Sequence, residues 1–146
     1  VSPIHIDRVI NFHKKNIEHE IILPVIKMKA YINQNLVKVI TNKNNEVLYL
    51  SRAQVPFELK EKNKFINKHL SVISFKPESL KKFSLSKQTP LEKIEDIELL
   101  RALEIGIKIK TIKLQGDSFS VDVMADYLKA KKKMTSDKFF KLYNKK

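Results

Sequence analysis

Four residues of this chain combine a reactive type with a setting that suits chemistry. Asp122 closes the short β-rich stretch Ser120-Val121-Asp122 and precedes a helical pattern. A carboxylate there can cap the helix by accepting backbone N–H bonds. It can equally offer hard oxygen to a divalent cation at the carboxyl edge of a sheet, where α/β folds bind ligands. Asp126, one turn on, faces solvent and is the lesser donor. His69 opens the β-rich run HLSVISF, in which alternation sets His69, Ser71, Ile73 and Phe75 on one face. It reads as a structural histidine or as a hydrogen-bonding group for a ligand hydroxyl or carboxylate. Glu98 lies close to Ile94, Ile97 and Arg101 on a helical wheel, so a carboxylate borders an apolar stripe. Unpaired burial there is costly, which leaves an i,i+3 ion pair with Arg101 or a carboxylate that accepts ligand hydroxyls while Arg101 holds it. Arg52 follows the apolar strand Val47–Leu50, where it can pair with an acid at a sheet edge. Only three of the 29 basic residues are Arg, namely Arg8, Arg52 and Arg101, and a guanidinium offers a planar fork where Lys offers only charge.

Composition removes several classes of chemistry. The 146 residues suffice for one domain with a real core. Cys is 0, which excludes disulfides, thiolate metal sites and a Cys nucleophile. Gly is 2, Gly106 and Gly116, so no clustered glycines can cradle a phosphate; a nucleotide loop is expected outside this sequence. The first residue is Val1, which suggests a fragment or a processed chain. No apolar run spans a bilayer and no signal-peptide layout opens the chain, leaving the cytoplasm as the expected compartment. Net charge is +13, and residues 129–146 contribute over half of it through their lysines. Such a tail reads as solvated charge or as an arm for polyanions. A nucleic-acid reading rests on that tail alone, and Phe139, Phe140 and Tyr143 suit a packed helix better.

The elements that must position these groups follow from pattern. Ser2-Pro3 starts a helix over about 3–16. Glu20 to Met28 is a buried strand, with Pro24 suggesting an edge or a bulge. Val37–Thr41 and Val47–Leu50 flank Asn42-Lys43-Asn44-Asn45 as a hairpin. Pro56–Lys68 reads as a loop, His69–Phe75 as a strand and Pro77–Phe83 as a short helix. Pro90-Leu91-Glu92 opens the strongest helix, to about Ile105, with Gly106 as its stop. Lys108–Leu114 alternates as an edge strand. A helix spans about 123–134, and Thr135-Ser136-Asp137 caps another around Phe139 and Leu142. Strands interleaved with helices indicate an α/β sheet.

Five segments in order resemble the C-terminal half of the 3-deoxy-manno-octulosonate (Kdo) cytidylyltransferases, the CMP-Kdo synthetases, relatives of the acylneuraminate cytidylyltransferases. Asn33-Gln34-Asn35-Leu36-Val37-Lys38-Val39 is similar to N-P-N-x-V-K-V. Leu48-Tyr49-Leu50-Ser51-Arg52-Ala53-Gln54-Val55-Pro56 is similar to A-L-Y-F-S-R-x-x-I-P. Lys68-His69-Leu70 resembles R-H-L-G, and Pro90 through Arg101 resembles P-L-E-x-I-E-x-L-E-Q-L-R. Ser120-Val121-Asp122, with Asp126, resembles V-D-T-P-E-D. The resemblance runs from about Ser2 to Met134. Ser71, Ile73, Leu99 and Val123-Met124 depart from the family pattern.

The resemblance implies a partial Rossmann-like nucleotidyltransferase sheet flanked by helices, with the N-terminal nucleotide-binding half missing. Residues 1–134 would be the C-terminal part of a cytidylyltransferase domain and 135–146 a basic helix or tail. The implied reaction is CTP plus Kdo, or a related ulosonic acid, to CMP-sugar and pyrophosphate, for lipopolysaccharide or another surface glycan. Arg52, His69 and Glu98 would bind the sugar acid, Asp122 would be a Mg²⁺ ligand, and the protein would be a homodimer. The chain by itself is expected to be inactive. Ile73 and Leu99 stand where the family carries a Tyr and a Gln that contact the sugar acid, which implies either a pocket that holds Kdo poorly or a sugar acid with a less polar group there, such as a deoxy or acylated ulosonic acid. Lys38 reads as a charge on a strand face. The alternatives are a non-catalytic dimerisation module and a basic nucleic-acid binder.

Overall fold

A computed structural model of the chain describes all residues except Val1, Tyr31, Asn63, 117–119, Asp122 and 144–146. It divides into two units, residues 1–116 and 117–146.

The first unit is built on β1 (Ile21–Lys29), whose sequence IILPVIKMK is apolar without strict alternation, the mark of a strand covered on both faces. Ile21, Leu23 and Val25 enter one cluster, with Val39, Leu50, Leu99, Leu100 and Ile109. Ile22 and Ile26 enter the other, with Val9, Leu70 and Leu114. Both sets are nearly or wholly buried, and each such side chain contributes about 1.5–3 kcal/mol. β2 (Lys38–Thr41) and β3 (Val47–Ser51) form the expected hairpin. Asn45 takes the left-handed turn conformation, φ 59°, which Asn tolerates.

The strand order is β3-β2-β4-β1-β5, with β4 at Phe65–His69, β5 at Ser74–Phe75 and β6 (Ile109–Leu114) also paired to β1. β6 runs parallel to β1 and the other pairs are antiparallel. β4 and β6 both pair with Val25 and Ile26, so they lie on opposite sides of β1. Helix α1 (Pro3–Lys15) starts on Pro as expected. Then follow α2 (Pro77–Leu85), α3 (Pro90–Glu95) and α4 (Leu99–Glu104).

Three expectations need correction. Pro24 lies in the central strand. Its carbonyl accepts the Leu70 N–H at 3.0 Å, on the side where β4 gives way to β5. A strand residue points both backbone groups to one side, so the N–H that proline lacks would face this gap in the ladder. The run His69–Phe75 is not one strand: β4 begins at Phe65, inside the expected loop, and ends at His69, and only Ser74 and Phe75 resume pairing. Phe65-Ile66-Asn67-Lys68-His69 conceals its strand character because only Ile66 in it is buried. The single helix over 91–105 is two helices. Asp96 adopts φ 53°, ψ 50° and turns the chain between them. Gly106, at φ 81°, ends α4 as expected. Its N–H reaches Leu103 O at 3.0 Å and that of Ile107 reaches Ala102 O at 2.8 Å, a Schellman closure.

The second unit contains α5 (Met124–Met134) and α6 (Lys138–Tyr143). Asp137 caps α6, accepting the N–H groups of Phe139 and Phe140 at 2.9 Å each. No helix among the described residues is long and apolar enough to cross a membrane.

Candidate functional site

The site forms where β3 and β4 end, beside the turn 33–37 and the break between α3 and α4. Arg52 follows the last residue of β3. Its guanidinium donates to three backbone carbonyls: Nε to Glu95 O at 3.0 Å, Nη1 to Gln34 O at 3.3 Å and Nη2 to Asp96 O at 3.2 Å. The carbonyls of Glu95 and Asp96 are those freed at the end of α3, where a cation is also favoured by the helix dipole. Among the described residues Arg52 makes no ion pair with a carboxylate. Five N–H groups minus three contacts leave one on each terminal nitrogen.

The backbone of Arg52 is held just as closely. Its N–H donates to Glu95 Oε2 at 2.9 Å and its C=O accepts from Lys38 Nζ at 2.8 Å. Glu95 also accepts the Ser51 hydroxyl at 2.7 Å. Burial pushes the Glu95 carboxyl up. The Arg52 N–H, the Ser51 hydroxyl, the Arg52 charge and the Tyr49 hydroxyl outweigh it and hold the group below its usual value. Tyr49 is pushed up, first by burial and then by the Glu95 charge.

Lys38 is not a strand-face charge. It is only 1% exposed, and its ammonium also donates to Asn33 O and Leu36 O at 3.3 Å each. A buried ammonium spends its three protons on acceptors or pays a large desolvation cost, and three carbonyls meet that need. The sequence signal was there: a lone Lys between Val37 and Val39 in an otherwise apolar strand. Glu95, the last residue of α3, is a second site residue, and nothing in its local sequence sets it apart from a solvated helix charge. An open groove of about 400 Å³ borders Lys38, with Lys27, Asn67, Lys113, Pro56 and Phe65 on its walls, and none of Arg52, His69 and Glu98 lines it.

His69 ends β4, opposite Val25, with its N–H on Val37 O at 3.1 Å. Burial lowers the pKa of its imidazole, the charge of Glu98 works in the opposite direction, and Lys68 adds to the lowering. His69 and Glu98 are therefore electrostatic neighbours, and Arg52 and His69 flank the same turn.

The expected Glu98–Arg101 pair is absent. Glu98 is exposed at the N-cap of α4, still one turn before Arg101, whose N–H donates to the Glu98 carbonyl at 3.1 Å. Arg101 instead meets Glu92 of α3, Nε to Oε2 at 3.1 Å. The N–H does not point at the oxygen, so the contact is an ion pair without a hydrogen bond. Arg101 Nη1 donates to Ser86 O at 2.9 Å, and the guanidinium lies 4.2 Å from the Phe83 ring centre. Leu99 is 4% exposed within the core, and Ile73 packs against the same cluster. Asp122 lies outside the described residues. Among the described residues no three His, Asp or Glu gather to hold a metal.

A family model described as cytidylyltransferase matches residues 1–109. A 3-deoxy-manno-octulosonate cytidylyltransferase of Thermodesulfovibrio yellowstonii is 39% identical over 112 residues, covering 73% of this chain and 44% of that protein. The protein of the same name from Elusimicrobium minutum is 33% identical over 141 residues, covering 90% and 57%. A solved structure of CMP:2-keto-3-deoxy-manno-octonic acid synthetase complexed with CTP superposes with a TM-score of 0.85 at 21% identity, over 93% of this chain and 57% of that one. At that identity the likeness speaks for the fold, a nucleotidyltransferase sheet flanked by helices. The chain spans about half the length of the curated relatives it matches. With the family model covering most of its length, the chain is a member of the cytidylyltransferase family.

Proposed function

We propose that this chain supplies the sugar-acid side of an enzyme that transfers CMP from CTP to Kdo or a closely related ulosonic acid. The observation that carries the reading is Arg52. It is a guanidinium fixed by three carbonyls, without a carboxylate partner among the described residues, and with one N–H left on each terminal nitrogen. Those two N–H groups are the donors that a carboxylate ligand would take in charge-assisted bonds. His69, kept neutral by burial, offers a hydrogen bond to a sugar hydroxyl, and the exposed carboxylate of Glu98 accepts others. The named relatives support Kdo as the acid and CTP as the donor.

In this reaction the anomeric oxygen of the sugar acid attacks the α-phosphorus of CTP. The P–O bond to the β-phosphoryl group breaks, the anomeric proton is lost and pyrophosphate leaves. These residues contribute by binding and orienting the acid, so their share of catalysis is positioning. Bound Mg²⁺ would neutralise the triphosphate, and the Asp122 carboxylate is the hard-oxygen ligand this chain would offer. A homodimer and a cytoplasmic location, where CTP is available, complete the proposal. The β2–β3 hairpin, with Leu48 60% exposed, is the candidate contact.

The test has two parts. Calorimetry with Kdo should show binding to the 146-residue chain that is lost in Arg52→Gln. Pyrophosphate release in the presence of this chain and its nucleotide-binding counterpart should require both CTP and Kdo and should lapse in Asp122→Asn. Release without Kdo, or full turnover by the Asn variant, would refute the assignment.

A further inference from the structure

The two peptide units that flank the Arg52 Cα are each held by a charged side chain, and the two charges are of opposite sign. The Arg52 N–H donates to Glu95 Oε2 at 2.9 Å, and the Arg52 C=O accepts from Lys38 Nζ at 2.8 Å. The two clamping residues come from different elements, α3 and β2, and neither is spent on an exposed salt bridge. Each is anchored a second time. Glu95 holds the Ser51 hydroxyl, and its own backbone carbonyl returns to Arg52 Nε. Lys38 holds Asn33 O and Leu36 O, the turn that precedes its own strand. That turn also carries Gln34, whose carbonyl accepts Arg52 Nη1. Lys38 thus fixes one carbonyl support of the guanidinium indirectly, and Glu95 fixes another. The two charges also sense each other: burial lowers the Lys38 amine, and the Glu95 carboxylate pulls it back up.

We infer that Lys38 and Glu95 are positioning residues, an opposite-charge clamp that sets the place and direction of the Arg52 fork for a carboxylate ligand. The inference rests on the sugar-acid reading for the identity of that ligand, but not for the clamp itself. Ordinary strand pairing does not explain the arrangement. Beyond Ser51 the β2–β3 ladder has ended, so no ladder bond holds the backbone on either side of the Arg52 Cα. A fork that must meet both oxygens of a carboxylate tolerates little swing. Neutral side chains could hydrogen-bond the same peptide, but bonds to charged groups are about twice as strong.

The experiment uses the full 146-residue chain, labelled with ¹⁵N and ¹³C. In the wild type, a coupling through the hydrogen bond should join the Lys38 ammonium nitrogen to the Arg52 carbonyl carbon. In Lys38→Met and in Glu95→Gln, exchange of the Arg52 amide and Nε–H protons should accelerate by about 10- to 100-fold. Exchange at Leu23 and Leu50 should stay unchanged. Kdo, used as the probe, should bind about 10- to 100-fold more weakly to both variants. Accelerated exchange at Arg52 with no detectable Kdo binding even in the wild type would uphold the clamp and refute the sugar-acid reading. Folded variants in which Arg52 exchange and Kdo affinity both match the wild type would overturn the clamp. If Lys38→Met does not fold, the wild-type coupling and Glu95→Gln decide the matter, and a missing coupling counts against it.

Discussion

Arg101 on α4 pairs with Glu92 on α3, not with Glu98 three residues away on its own segment. The pair is deeply placed, with Glu92 3% exposed, and it joins two short helices that could not stand alone. Six residues each is too short for independent stability, so the α3–α4 corner depends on tertiary contacts such as this one.

Removing one partner of that pair should therefore cost more than removing both. Glu92→Gln or Arg101→Met alone should lower stability by about 3 kcal/mol, because a buried charge is left uncompensated. The double variant should recover a good part of the loss. Urea unfolding of the three proteins checks the order, and additive losses would contradict it.

Stability should fall in mild acid through His69. Burial holds its folded pKa below the ordinary 6.5, so the unfolded chain takes up the proton first as pH drops. Stability then rises with pH between the folded and unfolded values and is lost as pH falls below about 6.5. Glu95 adds a second loss at lower pH. Its folded pKa is depressed below 4.5, and its contribution disappears as pH falls through that folded value. Melting temperatures from pH 4 to 8 should show the upper step in the wild type and not in His69→Gln.

Arg52→Lys should separate charge from geometry. Lysine keeps the charge but offers no planar fork and cannot reach three carbonyls and a carboxylate together. Kdo affinity should drop by about 10-fold or more. Calorimetry reads this loss directly, and unchanged affinity would show that only charge matters at this position.

Gly106→Ala should destabilise without any steric clash. Nothing lies within 4 Å of an added Cβ there, yet φ is +81°. The left-handed conformation costs an L-residue about 1–2 kcal/mol. Thermal unfolding should show that loss, while Gly106→Asn should lose less.

The sequence by itself determined the apolar strand over 21–28, the hairpin across Asn42–Asn45, the Pro-led helices and the stop at Gly106. Each rests on chemistry within a few residues: hydrophobic periodicity, turn residues, a missing N–H or a missing Cβ. It also carried the family, because the motif residues keep their order and spacing. It did not show that β4 starts at Phe65, since a strand with one buried side chain looks polar until its neighbours are known. Nor did it show the break at Asp96, because Asp is no obligate helix breaker and packing of α3 against α4 selects the left-handed turn. The largest difference concerns charge. Glu92 and Glu95 look like surface charges in sequence, and Lys38, though set between Val37 and Val39, names no partner there; yet the fold takes all three out of water, fully for Lys38 and Glu92 and partly for Glu95. Only tertiary structure decides that, because the partners that make such burial tolerable include groups on other elements: the Arg52 carbonyl for Lys38, Arg101 for Glu92, and Ser51 and the Arg52 N–H for Glu95.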